Sequence, residues 1–410
     1  MKKLLGVLLV AVMSWPTQAA VLKNVEVTGE IQTIASDVHH NNLMGVYSRG
    51  ANGRVLAGLS ADLVEDVTAN LLFQYAHAWA DNDSNEGKSV QDYWDNVKLV
   101  NANVVLHNLF CALDLTVGRQ FYGDEDSAVM YIGPNHYNAE AAGYVDSIDA
   151  AKLTYADDVK ALTLIAGTVN DYTAWSSDAP IWSDEKYDMF GGDFRLNLAD
   201  GFTAQVYGYD FTANGDDVAA GTDKHSGFYG AKVGMNAEAV RAAVEYARNF
   251  GGHRLIKEHK DTGYMVKADL AADIEAITAR GAFVYAKQGF EAEGNYTPGL
   301  LVGHLYPAYG REIWEYSNEG LRLFNLGFDM KAAEKWVFSL DGYTFQARTG
   351  HATTYEADLT AKYNHNEYVQ LFAGVGYAKY TKNEKYGAQS RDAMEASDNV
   401  KGQIGMLIKF

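Results

Sequence analysis

Two groups of residues have types and spacings that could bind a metal ion. Asp81, Asp83 and Asn85 alternate with single residues, as the first ligands of a calcium-binding loop do. The match then fails at the position of the loop glycine and at the closing glutamate. His39 and His40 are adjacent, but no companion ligand stands at a useful spacing. The sequence therefore predicts no metal site and no cofactor, with the acidic segment kept as a weak calcium candidate.

Residues suited to catalysis are equally sparse. The sequence has no Gly-x-Ser-x-Gly motif and no phosphate-binding glycine loop. Asp37, His39 and Asp124 could form a catalytic group at the outer rim of a barrel, but nothing in their spacing shows that they meet. The chain is therefore predicted not to be an enzyme, and a rim enzyme ranks last among the functional alternatives.

The elements that must position the polar residues are long strands. Phe324, Leu326 and Phe328 alternate with Asn325 and Asp329, and about eighteen segments of roughly 10–14 residues show the same period of two. Strands of soluble sheets are nearer five or six residues, whereas a tilted membrane strand needs about ten. No segment after the N-terminal twenty residues is apolar for about 18 positions, which excludes membrane-spanning helices.

The connections between these segments alternate in length. Short polar turns are predicted at 64–66, 156–158, 198–201, 236–238, 271–273 and 364–366, and long polar loops at 80–95, 121–143, 170–185, 288–316 and 381–397. This pattern is typical of an all-β fold, a single transmembrane antiparallel β-barrel with short periplasmic turns and long extracellular loops. Such a barrel contacts the lipid of the outer membrane of a Gram-negative bacterium.

Composition supports this class. The formal charge is −19, and loss of Lys2 and Lys3 with a signal peptide would make it about −21 (−19 minus 2), which argues against nucleic acid as a partner. The chain contains 27 Tyr, as expected for aromatic girdles; Tyr155, Tyr246, Tyr285, Tyr363 and Tyr377 stand near strand ends. The prolines at 134, 180, 298 and 307 are predicted to lie between strands, because proline cannot donate to a β-ladder.

Both ends of the chain carry export signals. Two lysines precede an apolar run from Leu4 to Trp15 and then small residues, so residues 1–20 are predicted to be a cleaved signal peptide and residues 21–410 the barrel. Ile404, Met406, Ile408 and Phe410 share one face of the last strand. An alternating run that ends on phenylalanine resembles the signal read by the barrel-assembly machinery, which is therefore an expected partner.

One segment resembles a known family. Val117-Gly118-Arg119-Gln120 ends a strand, and after a loop the next strand carries Asp149 and Lys152. This arrangement resembles the alginate-export and related Opr-type outer-membrane porins, which implies a monomeric barrel of about eighteen strands. The resemblance implies that these residues lie near the outer mouth. An alternative is that they only join neighbouring strands through hydrogen bonds.

The alternation also predicts which charged side chains face the lumen. Acids and bases are nearly balanced there, which departs from the arginine-rich lumen expected of a polyuronate exporter. The pore-lining candidates are Glu26, Glu30, Arg54, Asp62, Asp114, Lys152, Asp193, Arg195, Lys232, Arg241, Glu245, Lys267, Asp269, Arg280, Asp329, Asp341, Glu356, Asp358 and Lys362. A mixed lumen with acidic loops predicts a mild preference for cations or neutral solutes.

Two loops are unusually apolar and could narrow the lumen. The first contains Met130 and Tyr131, and the second contains Tyr306 and Trp314. Apolar residues in an extracellular loop suggest that it folds inward or covers the mouth. Alternatively, these residues pack on neighbouring loops without any effect on permeation.

The sequence therefore favours a porin that lets small polar solutes and ions diffuse through a water-filled barrel. A substrate-specific channel for export or uptake of an oligosaccharide or polyuronate is the second interpretation. A purely structural or adhesive barrel is also compatible with the fold.

Overall fold

The structure is a computed structural model. It describes residues 22–39, 49–78, 97–110, 112–125, 127–134, 136, 145–176, 179–198, 201–214, 225–252, 262–287, 289–290, 292–294, 298–301, 320–347, 353–380 and 398–410. The predicted signal peptide, residues 1–20, lies outside these ranges. No helix in the described part of the chain is long and apolar enough to cross a bilayer.

The described residues form an all-β fold. Its strands are β1 (Lys23–His39), β2 (Arg49–Val64), β3 (Val67–Ala78), β4 (Val97–Leu109), β5 (Leu113–Gln120), β6 (Tyr122–Gly123), β7 (Tyr131–Ile132), β8 (Ile148–Ala156), β9 (Lys160–Ser176), β10 (Ala179–Asn197), β11 (Phe202–Asn214), β12 (His225–Ala237), β13 (Val240–Gly251), β14 (Tyr264–Ile274), β15 (Ile277–Ala286), β16 (Leu321–Ala332), β17 (Trp336–Ala347), β18 (Thr353–Asn364), β19 (Val369–Tyr380) and β20 (Asp398–Lys409).

Eighteen of these strands close into one antiparallel barrel, which confirms the predicted fold class. Each barrel strand pairs with its neighbour in sequence, and β1 closes the barrel by pairing with β20 from Glu30↔Lys409 to His39↔Val400. Strands β6 and β7 form a separate two-stranded hairpin within the connection between β5 and β8. Closure leaves the barrel without an edge strand on which another chain could add.

The connections at one end of the barrel are short, and most of those at the other end are long. One end, called here the turn end, carries tight turns such as 65–66, 238–239 and 365–368 together with Phe410. The opposite end, called the loop end, carries the long connections. The turn predicted at 271–273 lies further along, at 275–276, because β14 continues to Ile274.

One predicted loop is wrong. Residues 170–185 belong mostly to β9 and β10, which extend as a long hairpin to Ser176 and Ala179. Pro180 therefore lies inside β10 and not between strands. It stands next to the register shift between Ala179 and Ser183, and strand ends and bulges are where a sheet tolerates proline.

The two faces of the barrel wall differ in character. The outer face exposes large apolar side chains, including Phe190 (65% exposed), Leu326 (60%) and Ile404 (64%). The five strand-end tyrosines named above also lie on the outer face according to the strand registers. An apolar band bordered by aromatic side chains is the surface that a lipid bilayer covers. The buried side chains therefore lie on the inner face, against segments inside the barrel.

Candidate functional site: the inner face and two inward loops

The strand registers place every predicted pore-lining residue on the inner face. For example, Lys232 is opposite Glu245, which is opposite Lys267, and Asp341 is opposite Asp358. Side chains alternate between the faces of a strand, so the period-two pattern alone assigns the face. Whether these side chains line a conducting passage stays a prediction.

Several basic residues of the inner face contact a carboxylate. The guanidinium of Arg54 lies 2.7 Å from Glu30 and is fully buried. Arg241 donates two hydrogen bonds, of 2.6 and 3.1 Å, to the carboxylate of Asp273. Asp273 is absent from the predicted set because the sequence pattern assigned it to a turn. Asp273 could have been identified from the sequence, because the alternation that places Lys267 and Asp269 on the inner face continues for two further inward positions.

A first inward loop follows β5 and fills part of the lumen. It comprises the described residues between 121 and 136 and contains the β6–β7 hairpin. Its Tyr122, Val129, Met130 and Ile132 are buried in one apolar cluster with inner-face side chains of β8–β17. The hydroxyl groups of Tyr122 and Tyr209 are 2.9 Å apart. The loop therefore lies against the inner wall.

His136 joins this loop to β1 and β2. Its Nε2 atom is 2.7 Å from Glu30, and its Nδ1 atom is 2.8 Å from Glu125 of the same loop. Burial opposes the charged imidazole, but hydrogen bonds and the charges of the two glutamates raise the pKa of His136 above its ordinary value. Because Glu30 also accepts from Arg54, the loop is connected to a buried ion pair. Sequence patterns did not single out His136.

A second inward loop meets the first by backbone hydrogen bonds. It comprises the described residues between 287 and 301. Glu293 donates its N–H to the carbonyl of Val129 over 3.0 Å and accepts from the N–H of Tyr131 over 2.8 Å. Met130 and Glu293 thereby form a parallel β-bridge. The two apolar loops thus pack on the inner wall and also on each other.

The end of the second loop is bound to β17 and β18. The N–H groups of Leu300 and Leu301 donate to Asp358 and Glu356 over 2.9 and 2.6 Å. The hydroxyl of Tyr343 donates to the carbonyl of Pro298 over 2.6 Å. Glu356 and Asp358, which alternation predicts to face the lumen, therefore accept hydrogen bonds from backbone N–H groups of this loop. The other two constriction candidates, Tyr306 and Trp314, lie outside the described residues.

A cavity of about 340 Å³ lies on the turn-end side of the second loop. Its walls come from the inner face of β13–β17, and Pro298 of the second inward loop contributes to its lining. Arg241, Asp269, Arg280 and Tyr343 contribute polar groups to its lining. This cavity could not be predicted from the sequence, because part of its lining, Pro298, belongs to a loop segment with no regular pattern.

The residues of the family motif connect three strands. Gly118 has a φ of +121°, and an added Cβ would lie 2.3 Å from the carbonyl oxygen of Ala102 on β4. Arg119 makes two hydrogen bonds of 2.7 Å to Asp149 on the outer face, between β5 and β8. Gln120 points inward and donates to the carbonyls of Gly118 and Ala150. These are contacts within the barrel wall.

The remaining candidates do not assemble into a site. Asp37 lies on the outer face of β1, whereas Asp124 lies in the first inward loop, 3.9 Å from Arg195. The side chain of His39 and the weak calcium candidates Asp81, Asp83 and Asn85 lie outside the described residues. Within the described ranges, no group of three His, Cys, Asp or Glu side chains is placed to hold a metal ion.

Comparison with known proteins places the fold among outer-membrane porins. No family model and no curated protein matches the sequence. OccK3 (OpdO) of Pseudomonas aeruginosa matches with 12% identity and a TM-score of 0.60, covering 95% of this chain and 96% of that chain. OpdK of the same organism, solved with vanillate, gives 10% identity and a TM-score of 0.61 over 95% and 99% of the chains. OprD of Pseudomonas aeruginosa gives 10% and 0.59 over 96% and 98%.

Proposed function

We propose that this chain is an outer-membrane channel for the diffusion of small polar solutes and ions. The observation that carries the proposal is the bridge between the two inward loops, Met130↔Glu293, inside a closed barrel of eighteen strands. A barrel of this size encloses an aqueous lumen, and loops that reach into it narrow the passage to the size of small solutes. The shared fold with the OprD and Occ porins supports the same function.

Selective export of a polyuronate is not favoured by the described contacts. A polyanion would need unpaired arginines along its path, but Arg54, Arg241 and Arg280 each contact a carboxylate. The bridged loops also oppose the passage of a thick polymer. The relationship to Opr-type porins is therefore the part of the predicted resemblance that we retain.

Three further proposals accompany this function. Residues 1–20 direct export and are removed, and residues 21–410 form the barrel. The barrel lies in the outer membrane, with the turn end in the periplasm. The last strand, ending at Phe410, binds the barrel-assembly machinery. The apolar outer face and the alternation of β20 support the last two.

Planar-bilayer recording of the purified, refolded protein tests the channel function. We expect stable unitary currents in symmetric potassium chloride, and the reversal potential in a salt gradient gives the ion preference. Heat-modified migration in SDS gels shows that the recorded sample is folded, and the same sample after heat denaturation is the control. Folded protein that inserts but carries no current, and that leaves liposomes impermeable to small solutes, would contradict the proposal.

A further inference from the structure

The cavity beside Pro298 arises from two adjacent rows of inner-face residues in which small and polar side chains alternate. Neighbouring strands contribute one residue each to a row. The first row is Ala243, Asp269, Ala282, Asn325 and Tyr343, and the second is Arg241, Ala271, Arg280, Gly327 and Asp341. The alanines leave the space, and the polar residues beside them border it. The space beside Gly327 is filled by the carboxylate of Asp341. The result is a half-open cavity with a volume of about 340 Å³.

The charges that border this cavity are neutralised in local pairs. Arg280 lies 2.7 Å from Asp329 and 3.0 Å from Asp341. Arg241 lies 2.6 Å from Asp273, and Lys267 lies 2.6 Å from Asp269. The paired groups remain accessible, because Arg241 and Arg280 keep 45% and 34% of their side-chain surface exposed. The wall thus offers many directed donors and acceptors with little net charge.

This arrangement discriminates between classes of solute. A carboxylate that approached Arg280 would be repelled by the neighbouring carboxylates of Asp329 and Asp341. An ammonium group would be repelled by the guanidinium of Arg280. A hydroxyl group both donates and accepts, so it can bind to paired ions without separating them. Tyr343 adds an aromatic ring to the lining. At about 340 Å³ the cavity is at the small end of ligand pockets, which excludes long oligosaccharides.

We propose that this cavity is a binding site for uncharged polyhydroxylated solutes of the size of a mono- or disaccharide. The proposal rests on the channel function and names the solute class that the channel retains on its way through. The paired arginines and Asp269 bind hydroxyl groups, and Tyr343 covers one face of the solute. Carboxylates of similar size pass without binding there.

Liposome swelling tests the proposal with two probes of similar size, glucose and vanillate. We expect glucose to enter wild-type proteoliposomes several-fold faster than vanillate, and to interrupt single-channel currents reversibly. Vanillate flux that equals or exceeds glucose flux would overturn the proposed site while leaving the channel function in place. A folded protein without current or flux for any probe would instead contradict the channel function.

Two variants test the site: one removes carboxylates from its ion pairs, and the other fills the cavity. Asp269→Asn combined with Asp329→Asn removes carboxylates from the pairs, so vanillate flux should rise about tenfold relative to glucose. Asp158→Asn, a neutralisation on an exposed turn, is the control and should leave the ratio unchanged. Ala282→Leu fills the cavity and should abolish the glucose-induced interruptions while single-channel openings persist. An unchanged flux ratio in the first variant, or persistent interruptions in Ala282→Leu, would contradict the assignment.

Discussion

His136 Nε2 lies 2.7 Å from Glu30 Oε2, which joins the first inward loop to a strand that is remote from it in sequence. Because these contacts raise the pKa of His136, their contribution is complete below the ordinary imidazole pKa of about 6.5. It is lost as pH rises through the elevated value. We therefore expect single-channel current fluctuations to increase as pH rises above the ordinary imidazole pKa of about 6.5 and through the elevated one, as about 1–3 kcal/mol of charged hydrogen bonding is lost.

The matched variants separate this histidine from others. His136→Asn should fluctuate at every pH as the wild type does at high pH. His225→Asn is the control, because His225 contacts Asp210 at 2.8 Å on the outer face, on the side of the wall away from the inward loops. Wild-type current noise that is independent of pH would show that the His136 contacts do not hold the loop.

The backbone bridge between the inward loops should limit conductance. Tyr131→Pro removes the N–H that donates to Glu293, so the loops should separate and the unitary conductance should rise by roughly twofold or more. Tyr131→Phe keeps this N–H and loses the hydroxyl bond to Pro134, so it should stay near the wild-type conductance. Equal conductance of the two variants, measured in planar bilayers, would indicate that the bridge does not narrow the passage.

Gly118 should be intolerant of any side chain. Gly118→Ala combines a positive φ with a Cβ placed against the Ala102 carbonyl, so a destabilisation of roughly 2–4 kcal/mol is expected. Gly402→Ala is the control, since its added Cβ meets no atom within 4 Å. Urea unfolding in detergent, followed by tryptophan fluorescence, measures the difference. Similar stability of the two variants would refute the steric argument.

The Arg119–Asp149 pair should affect stability without affecting permeation. A double-mutant cycle with Arg119→Gln and Asp149→Asn should give a coupling free energy of about 1 kcal/mol, because the pair is bidentate but partly exposed. Single-channel conductance and ion selectivity should be those of the wild type, since both side chains lie on the outer face. A change in selectivity would assign the pair a role at the mouth.

Strand number and the inner and outer faces could be predicted because both follow from local alternation. Asp269 and Arg280, for instance, are assigned to the inner face by a period of two that does not depend on tertiary contacts. The same rule failed at Asp273. This polar residue lies in β14 close to a turn, but the sequence pattern assigned it to the turn. The rule failed again at Pro180, because the outer part of the β9–β10 hairpin pairs through its backbone and needs no alternating apolar face.

The contacts inside the barrel could not be predicted. Glu293 binds the first inward loop through its backbone N–H and carbonyl groups, and the type of residue does not indicate such a contact. Glu356 and Asp358 were assigned to the correct face, but their partners, the N–H groups of Leu301 and Leu300, belong to a loop whose path depends on the whole barrel. The fold positions the long loops, so the residues that they contact can be identified only once the fold is known.

Closure of the barrel has a consequence for the order of folding. Gly29 and Phe410 exchange two backbone hydrogen bonds, of 2.7 and 3.0 Å, where the first barrel strand meets the last. All other barrel pairings join strands that follow one another in the chain, so they can form by successive hairpin addition. The pairing of β1 with β20 has by far the largest entropic cost of loop closure, so it should form last. Until then β1 and β20 are open edges, and the sheet is most exposed to pairing with another copy.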